Sequence, residues 1–246
     1  MIVLFTDFGL AGPYTGQMKA VLHRDAPGVQ VIDLFADAPM RDPHAAAYLL
    51  AAYAAWFPAE TVILAVVDPG VGSERPPVVV EADGIRYVGP GNGLFELVRR
   101  RAKAVAITEI AWRPPVLSAS FHGRDLFAPV AALLARGETP ELIARDADWQ
   151  CRPDWPDDLA EIVYIDHYGN AMTGLRAASV PEDSVLSVRG LQVQSAHTFS
   201  AVRPGEAFWY ENSNGLVEIA VNMGRADRVL ELTLGTQVRM TKGIAS

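Results

Sequence analysis

The sequence predicts an α/β protein: an N-terminal α/β domain with a central, largely parallel sheet, followed by a C-terminal all-β, barrel-like domain. Three observations carry that expectation. Short apolar runs alternate with helix-like segments through residues 1–150, a polar stretch with two prolines at 146–158 breaks the alternation, and only short alternating runs follow it. The expected domains are residues 1–150 and 159–246.

The elements follow in order. Residues 2–6 (Ile-Val-Leu-Phe-Thr) form a continuous apolar run, as in a strand covered on both faces. A helix is expected over 14–24 and a strand over 29–34. Asp42-Pro43 supplies an N-cap and a proline at the first helical position, opening a buried helix to residue 57. A buried strand follows at 62–67. Asp83-Gly84, flanked by 78–81 and 85–88, is a two-residue hairpin signal. Further helices are expected at 94–101 and 126–136. Past the break, strands are expected at 161–165, 184–188, 191–193, 208–211, 216–221, 229–234 and 237–241. Arg189-Gly190 and Ser213-Asn214-Gly215 are among the turns between them.

Charge and composition exclude several classes of function. The formal net charge is −8, from 21 Lys and Arg against 29 Asp and Glu, the wrong balance for gripping phosphate backbones, so no nucleic-acid partner is expected. The basic run Arg99-Arg100-Arg101 with Lys103 reads as a solvated helix end that complements the macrodipole. The single cysteine, Cys151, excludes an internal disulfide and a cysteine-based zinc cage. The first residues carry no basic segment and reach Asp7 at once, unlike a signal peptide. The longest apolar run, 45–57, is too short to span a bilayer, and a cytoplasmic protein without a membrane partner is the expectation.

Polar residues recur at strand ends, where open α/β sheets collect ligands. Asp7 follows the first strand and Asp68 the 62–67 strand, in Asp68-Pro69-Gly70-Val71-Gly72 with Arg75 close behind. Asn92 lies in Gly89-Pro90-Gly91-Asn92-Gly93, and His122 in Phe121-His122-Gly123-Arg124-Asp125, each just ahead of a helix. Each also has a bland reading: a strand-end aspartate caps turns, and a lone histidine is more often structural than catalytic. The glycine-rich segments match neither a Walker A nor a dinucleotide fingerprint, and there is no HExxH or GxSxG motif. Asp7, Asp68 and His122 remain, on sequence grounds, a conceivable divalent-metal set.

Together these segments resemble the S-adenosylmethionine hydrolases, or hydroxide adenosyltransferases, relatives of the adenosyl-halide synthases. The resemblance spans nearly the whole chain. Its anchors are Thr6-Asp7-Phe8-Gly9, the Asp68 segment with Arg75, the Asn92 segment, the His122 segment, Ile165-Asp166-His167-Tyr168-Gly169-Asn170, and Asn212-Ser213-Asn214-Gly215. It implies hydrolysis of S-adenosyl-L-methionine to adenosine and L-methionine, with no metal and no cofactor. The hydrolase branch carries an Asp, Arg and His triad around the attacking water, which falls here on Asp68, Arg75 and His122. The halide branch has tyrosine for the aspartate and lacks the histidine. Met172 and Asn214 stand where halide synthases place an aromatic residue and an arginine, in keeping with the hydrolase branch.

The resemblance also implies binding roles. Asp7 would take the ribose hydroxyls, Asn170 the adenine edge, Asp166 the methionine ammonium and Ser213 the methionine carboxylate. Asn92 and Phe121 would line the pocket, and Glu218 and Met223 are further substrate-binding candidates. It implies a homotrimer whose sites lie between the N-terminal domain of one subunit and the C-terminal barrel of the next. The competing classes are an adenosine or S-adenosylmethionine sensor with little turnover, and a metal-dependent hydrolase using Asp7 and Asp68.

Overall fold

The computed structural model describes residues 1–182 and 184–241. The chain divides into two compact units, Met1–Pro153 and Asp154–Ser246.

The first unit runs β1 (Ile2–Thr6), α1 (Tyr14–Asp25), β2 (Val31–Phe35), α2 (Pro43–Ala54), β3 (Val62–Val66), β4 (Pro77–Ala82), β5 (Ile85–Pro90), α3 (Glu96–Arg101), β6 (Val105–Ile110), a π-helical turn (Gly123–Phe127), α4 (Ala128–Ala135) and β7 (Leu142–Arg145). The sheet order is β2-β1-β3-β5-β4-β6-β7. β2, β1, β3 and β5 pair in parallel, and β4, β6 and β7 extend the sheet by antiparallel pairs. Because β6 opposes β4, which opposes β5, five strands run one way and two the other.

Every residue of β1 and β3 is buried, as continuous apolar strands in mid-sheet require. Ile2, Leu4, Val62 and Leu64 pack with Met18 and Leu22 of α1 and with Val130 and Leu134 of α4. Burial on that scale is the main driving force for this unit. Local chemistry sets the boundaries. The Asp42 side chain accepts from Ala45 N at 3.0 Å and Pro43 starts α2, a cap worth about 1 kcal/mol. Asp83 and Gly84 take φ of 48° and 83°, the left-handed pair that a tight hairpin needs.

The basic run behaves differently from its sequence reading. Arg99 and Arg100 both bind the carboxylate of Glu96, whose side chain is only 4% exposed. Arg99 also donates to Ala147 O and Trp149 O, and Arg100 to Arg152 O, so the arginines clamp the end of this unit onto α3. A buried carboxylate needs such partners, which is why this run does not simply face water.

The second unit holds β8 (Leu159–Ile165), β9 (Ala171–Arg176), β10 (Val185–Val188), β11 (Leu191–Ser195), β12 (Ala207–Glu211), β13 (Leu216–Val221), α5 (Ala226–Val229) and β14 (Val238–Thr241). Its sheet order is β14-β10-β11-β12-β13-β9-β8. An antiparallel bridge from Glu161 to Gln237 ties its two edges, so the sheet curls nearly closed around Leu186, Val217, Ile219 and Val238. The strand expected at 229–234 is absent: the helical turn α5 ends there, and Glu231 takes a left-handed φ of 51° that no strand accommodates. Leu230 and Leu232 are buried all the same, so the apolar alternation was a core signal rather than a strand signal. Among the described residues no helix is long and apolar enough to cross a membrane.

Candidate active site

In the first unit, three loops at the ends of β1, β3 and β6 carry the charged residues singled out from sequence. Asp68 stands two residues past β3, in a loop that returns through Gly72 to Arg75. Gly72 has φ of 80°, and a Cβ there would lie 2.6 Å from Ala119 O, so only glycine lets this loop pack on the segment leading to His122. The Arg75 guanidinium forms a fork on Asp68: Nε donates to Oδ1 at 2.8 Å and Nη2 donates to Oδ2. Nη2 also lies 3.1 Å from His122 Nδ1. The pair is dry, with Arg75 10% and Asp68 5% exposed in their side chains.

That geometry fixes the state of the imidazole. A guanidinium only donates, so the atom facing it must accept, and the proton of neutral His122 sits on Nε2. Burial, then the Arg75 charge, holds the His122 pKa below its ordinary value, while Asp68 and Asp125 pull the other way. Asp7, at the end of β1, accepts from Arg41 N at 2.8 Å. Its carboxyl is pushed above the usual carboxylate range by burial, and the negative charge of Asp68 adds to that push. Asn92 pins the approach to Asp68, with Nδ2 donating to Val67 O at 2.9 Å and Oδ1 accepting from Leu94 N at 3.2 Å. Phe121 packs edge-on against Phe8 and Tyr14, at centroid separations of 5.8 and 5.4 Å, forming an aromatic wall one residue from His122.

The donor set is poorly suited to a metal. Arg75 occupies one lone pair of each Asp68 oxygen and that of His122 Nδ1, and its charge repels a divalent ion. Among the described residues, no group of three His, Cys, Asp or Glu side chains gathers so as to hold a metal ion.

The second unit brings together another set. The turn Asp166 to Asn170 is closed by Gly169 N donating to Asp166 O at 3.0 Å, with Gly169 at φ of 85°. A Cβ on Gly169 would strike Asp227 Oδ1 at 2.5 Å, so the turn is glycine-dependent. Asp166 accepts from Asn170 N at 2.8 Å and from Asn170 Nδ2 at 3.2 Å. Glu218, on β13, is 3% exposed and accepts from Tyr210 Oη and, at 2.9 Å, from Asn212 Nδ2. Burial raises its pKa, and the charge of Asp166 raises it further. Ser213 is exposed beside Asn212, in the turn joining β12 to β13. Met223 lies in the turn after β13, 87% exposed with φ of 54°.

Three residues of these clusters escaped the sequence reading. Tyr210 had an available signal, since counting back from the Asn212–Gly215 turn pairs it across strands with Glu218. Asn212 stood in a quoted motif without a role. Phe127, 5.1 Å beneath the Arg75 guanidinium, had none, because its distance from His122 fits no α-helical spacing.

Two family models match the chain: SAM hydroxide adenosyltransferase N-terminal domain over residues 2–144, and the C-terminal domain of the same family over 160–239. The chain belongs to the SAM hydroxide adenosyltransferase family. Among similar family members, a Thermus thermophilus protein named (R)-S-adenosyl-L-methionine hydrolase is 38% identical over 97% of this chain and 98% of its own. A protein of the same name from Salinispora tropica is also 38% identical, covering 97% of this chain and 96% of its own. A solved structure of a conserved Thermotoga maritima protein aligns with TM-score 0.83 at 29% identity, covering 98% of this chain and all, 100%, of that one. A solved structure of a conserved protein from Thermus thermophilus aligns with TM-score 0.77 at 34% identity, covering 98% and 99%.

Proposed function

We propose that this chain hydrolyses S-adenosyl-L-methionine to adenosine and L-methionine, with the (R) sulfonium epimer named for its relatives as the substrate. The observation that carries the reading is the low-exposure Asp68–Arg75 pair with His122 against it, at the sheet's ligand-binding end. Capture of a ligand would not call for such a cluster; orientation of a water molecule does.

The chemistry balances with few demands. The water oxygen bonds to the ribose 5′ carbon as the C5′–S bond breaks, and that electron pair goes to sulfur. The sulfonium becomes a neutral thioether, so the leaving group needs no general acid. The incoming oxygen becomes an oxonium and must lose one proton per turnover. An oxonium is so strong an acid that even an arginine-paired carboxylate can take its proton, and Asp68 fills that role before passing it to solvent. His122, with its proton on Nε2, serves the water as a donor that fixes its orientation. The Arg75 fork occupies one lone pair of each Asp68 oxygen, which restrains the carboxylate from attacking the 5′ carbon itself.

Asp7 is assigned to the ribose hydroxyls, with Phe121 and Asn92 shaping the wall. Asp166 is assigned to the methionine ammonium, Asn170 to the adenine edge, and Ser213 to the carboxylate. Glu218 is assigned to holding the Asp166–Asn170 turn, and Met223 to the substrate's rim. Support for the second cluster's role is its charge: Asp166 and Glu218 accept from neutral amide and hydroxyl donors, and the neighbouring Arg225 is paired with Asp227, leaving net negative charge suited to a cationic substrate. The homotrimer with sites shared between subunits is carried over from the family resemblance. The working compartment we assign is the cytoplasm.

The test is chromatography of purified protein incubated with each epimer, with EDTA present and chloride absent. Equal amounts of adenosine and methionine, their release slowed at least about a hundredfold in Asp68→Asn, is the expected result. Retention of substrate without turnover would replace the reading with a sensor, and activity lost to EDTA would replace it with a metal hydrolase.

A further inference from the structure

We infer that Phe127 is a positioning residue for the reaction, its ring face holding the Arg75 guanidinium in the one orientation that serves Asp68 and His122 together. The inference rests on the hydrolytic reading above and adds to it a residue outside the charged triad.

The Arg75 guanidinium has three neighbours of different kinds. Asp68 accepts from its edge, His122 accepts from Nη2, and the guanidinium carbon lies over the Phe127 ring, 5.1 Å from Cζ to centroid. Edge contacts alone leave a planar cation free to rock about the line joining it to the carboxylate. A ring packed beneath the cation restricts that freedom, and the ring quadrupole attracts the cation most strongly where water is excluded. Phe127 is 0% exposed and belongs to the core formed with Leu126, Val130 and Leu4, so its own position is set by packing rather than by Arg75.

The backbone register explains how one short segment supplies two of the three neighbours. Residues five apart on an α-helix point about 140° apart, so His122 and Phe127 would face different ways. Here Ala128 N donates to Gly123 O, the i to i+5 bond of a π turn, and the wider turn brings the two side chains onto Arg75. α4 begins at once after it, in ordinary α geometry. A π turn is less favourable than a continued α-helix, and such turns persist where a site uses them.

The experiment replaces Phe127 with phenylalanines carrying one, three and five ring fluorines, which drain the ring quadrupole while nearly keeping its shape. Two readouts are taken on folded protein: kcat and KM for S-adenosylmethionine, and the hydrogen-exchange rate of the Arg75 Nε–H by 15N NMR. A graded fall in kcat reaching about three- to thirtyfold, KM nearly constant, and faster Arg75 exchange in the same order are expected. Phe127→Leu should lie at the low end of the series. Flat kcat and flat exchange across the fluorinated series, with only Phe127→Leu impaired, would reduce Phe127 to a core residue and overturn the inference. Graded Arg75 exchange in a protein whose wild type releases no adenosine would leave Phe127's hold on Arg75 standing and sink the hydrolytic reading instead.

Discussion

Both units hold carboxylates away from bulk water, and they partner them in opposite ways. In the first, Asp68 meets a guanidinium edge to edge, and that cation is itself held by an imidazole and an aromatic face. In the second, Asp166 and Glu218 are satisfied by Asn170, Tyr210 and Asn212, none of which carries charge. A cluster whose charges cancel internally is rigid before substrate arrives, which suits the orientation of a small nucleophile. A cluster left negative has an unmet electrostatic demand, which suits the recognition of a cation. The rise in the Glu218 pKa, driven by burial and by Asp166, is the mark of that demand.

The comparison can be broken in stages. The largest effect is expected at Asp68→Asn, which keeps the shape but removes the charge that holds Arg75 and takes the proton. A fall of about 10²–10⁴ in kcat is expected, with KM changed little, by steady-state kinetics. Asp166→Asn should do the reverse, raising KM by about 10–100-fold through loss of a charge-assisted contact while kcat changes less. If both variants altered kcat alone, the division of labour between the units would be wrong. Tyr210→Phe, which removes one donor from Glu218, should raise KM only by about three- to tenfold.

The smallest predicted effect is in the pH profile. His122 has burial and the Arg75 and Arg113 charges pressing its pKa down, against Asp68 and Asp125 pressing it up, and the net shift is downward from 6.5. Neutral His122 therefore contributes stability that is fully present above about 6.5 and is lost as pH falls through its lowered folded value. The acid limb of kcat should accordingly lie below pH 6.5, and in His122→Gln, which keeps a donor and cannot titrate, that limb should disappear.

How far the sequence reveals this molecule depends on whether the signal is local. Strand β1, the Asp42 cap and the Asp83-Gly84 hairpin are written in a few adjacent residues, and each forms as its chemistry demands. Strands β6, β7 and β9 were not legible: β7 is an edge strand with three of its four residues exposed, and β9 mixes Met, Thr and Gly in a run whose burial only the sheet decides. The alternation at 229–234 misled because buried leucines spaced two apart also suit a turn packed on a barrel. The charged residues of both clusters stood out as strand-end polar groups or family motifs, but what holds them did not. The π turn has no compositional signature, and the Tyr210–Glu218 contact depends on the register of a hairpin.

The most direct test is hydrolysis of S-adenosyl-L-methionine in 18O-labelled water, with mass analysis of both products. Label confined to the 5′-oxygen of adenosine is the result expected of water attack at the ribose carbon beside Asp68, Arg75 and His122. Unlabelled adenosine, or label appearing in methionine, would contradict it.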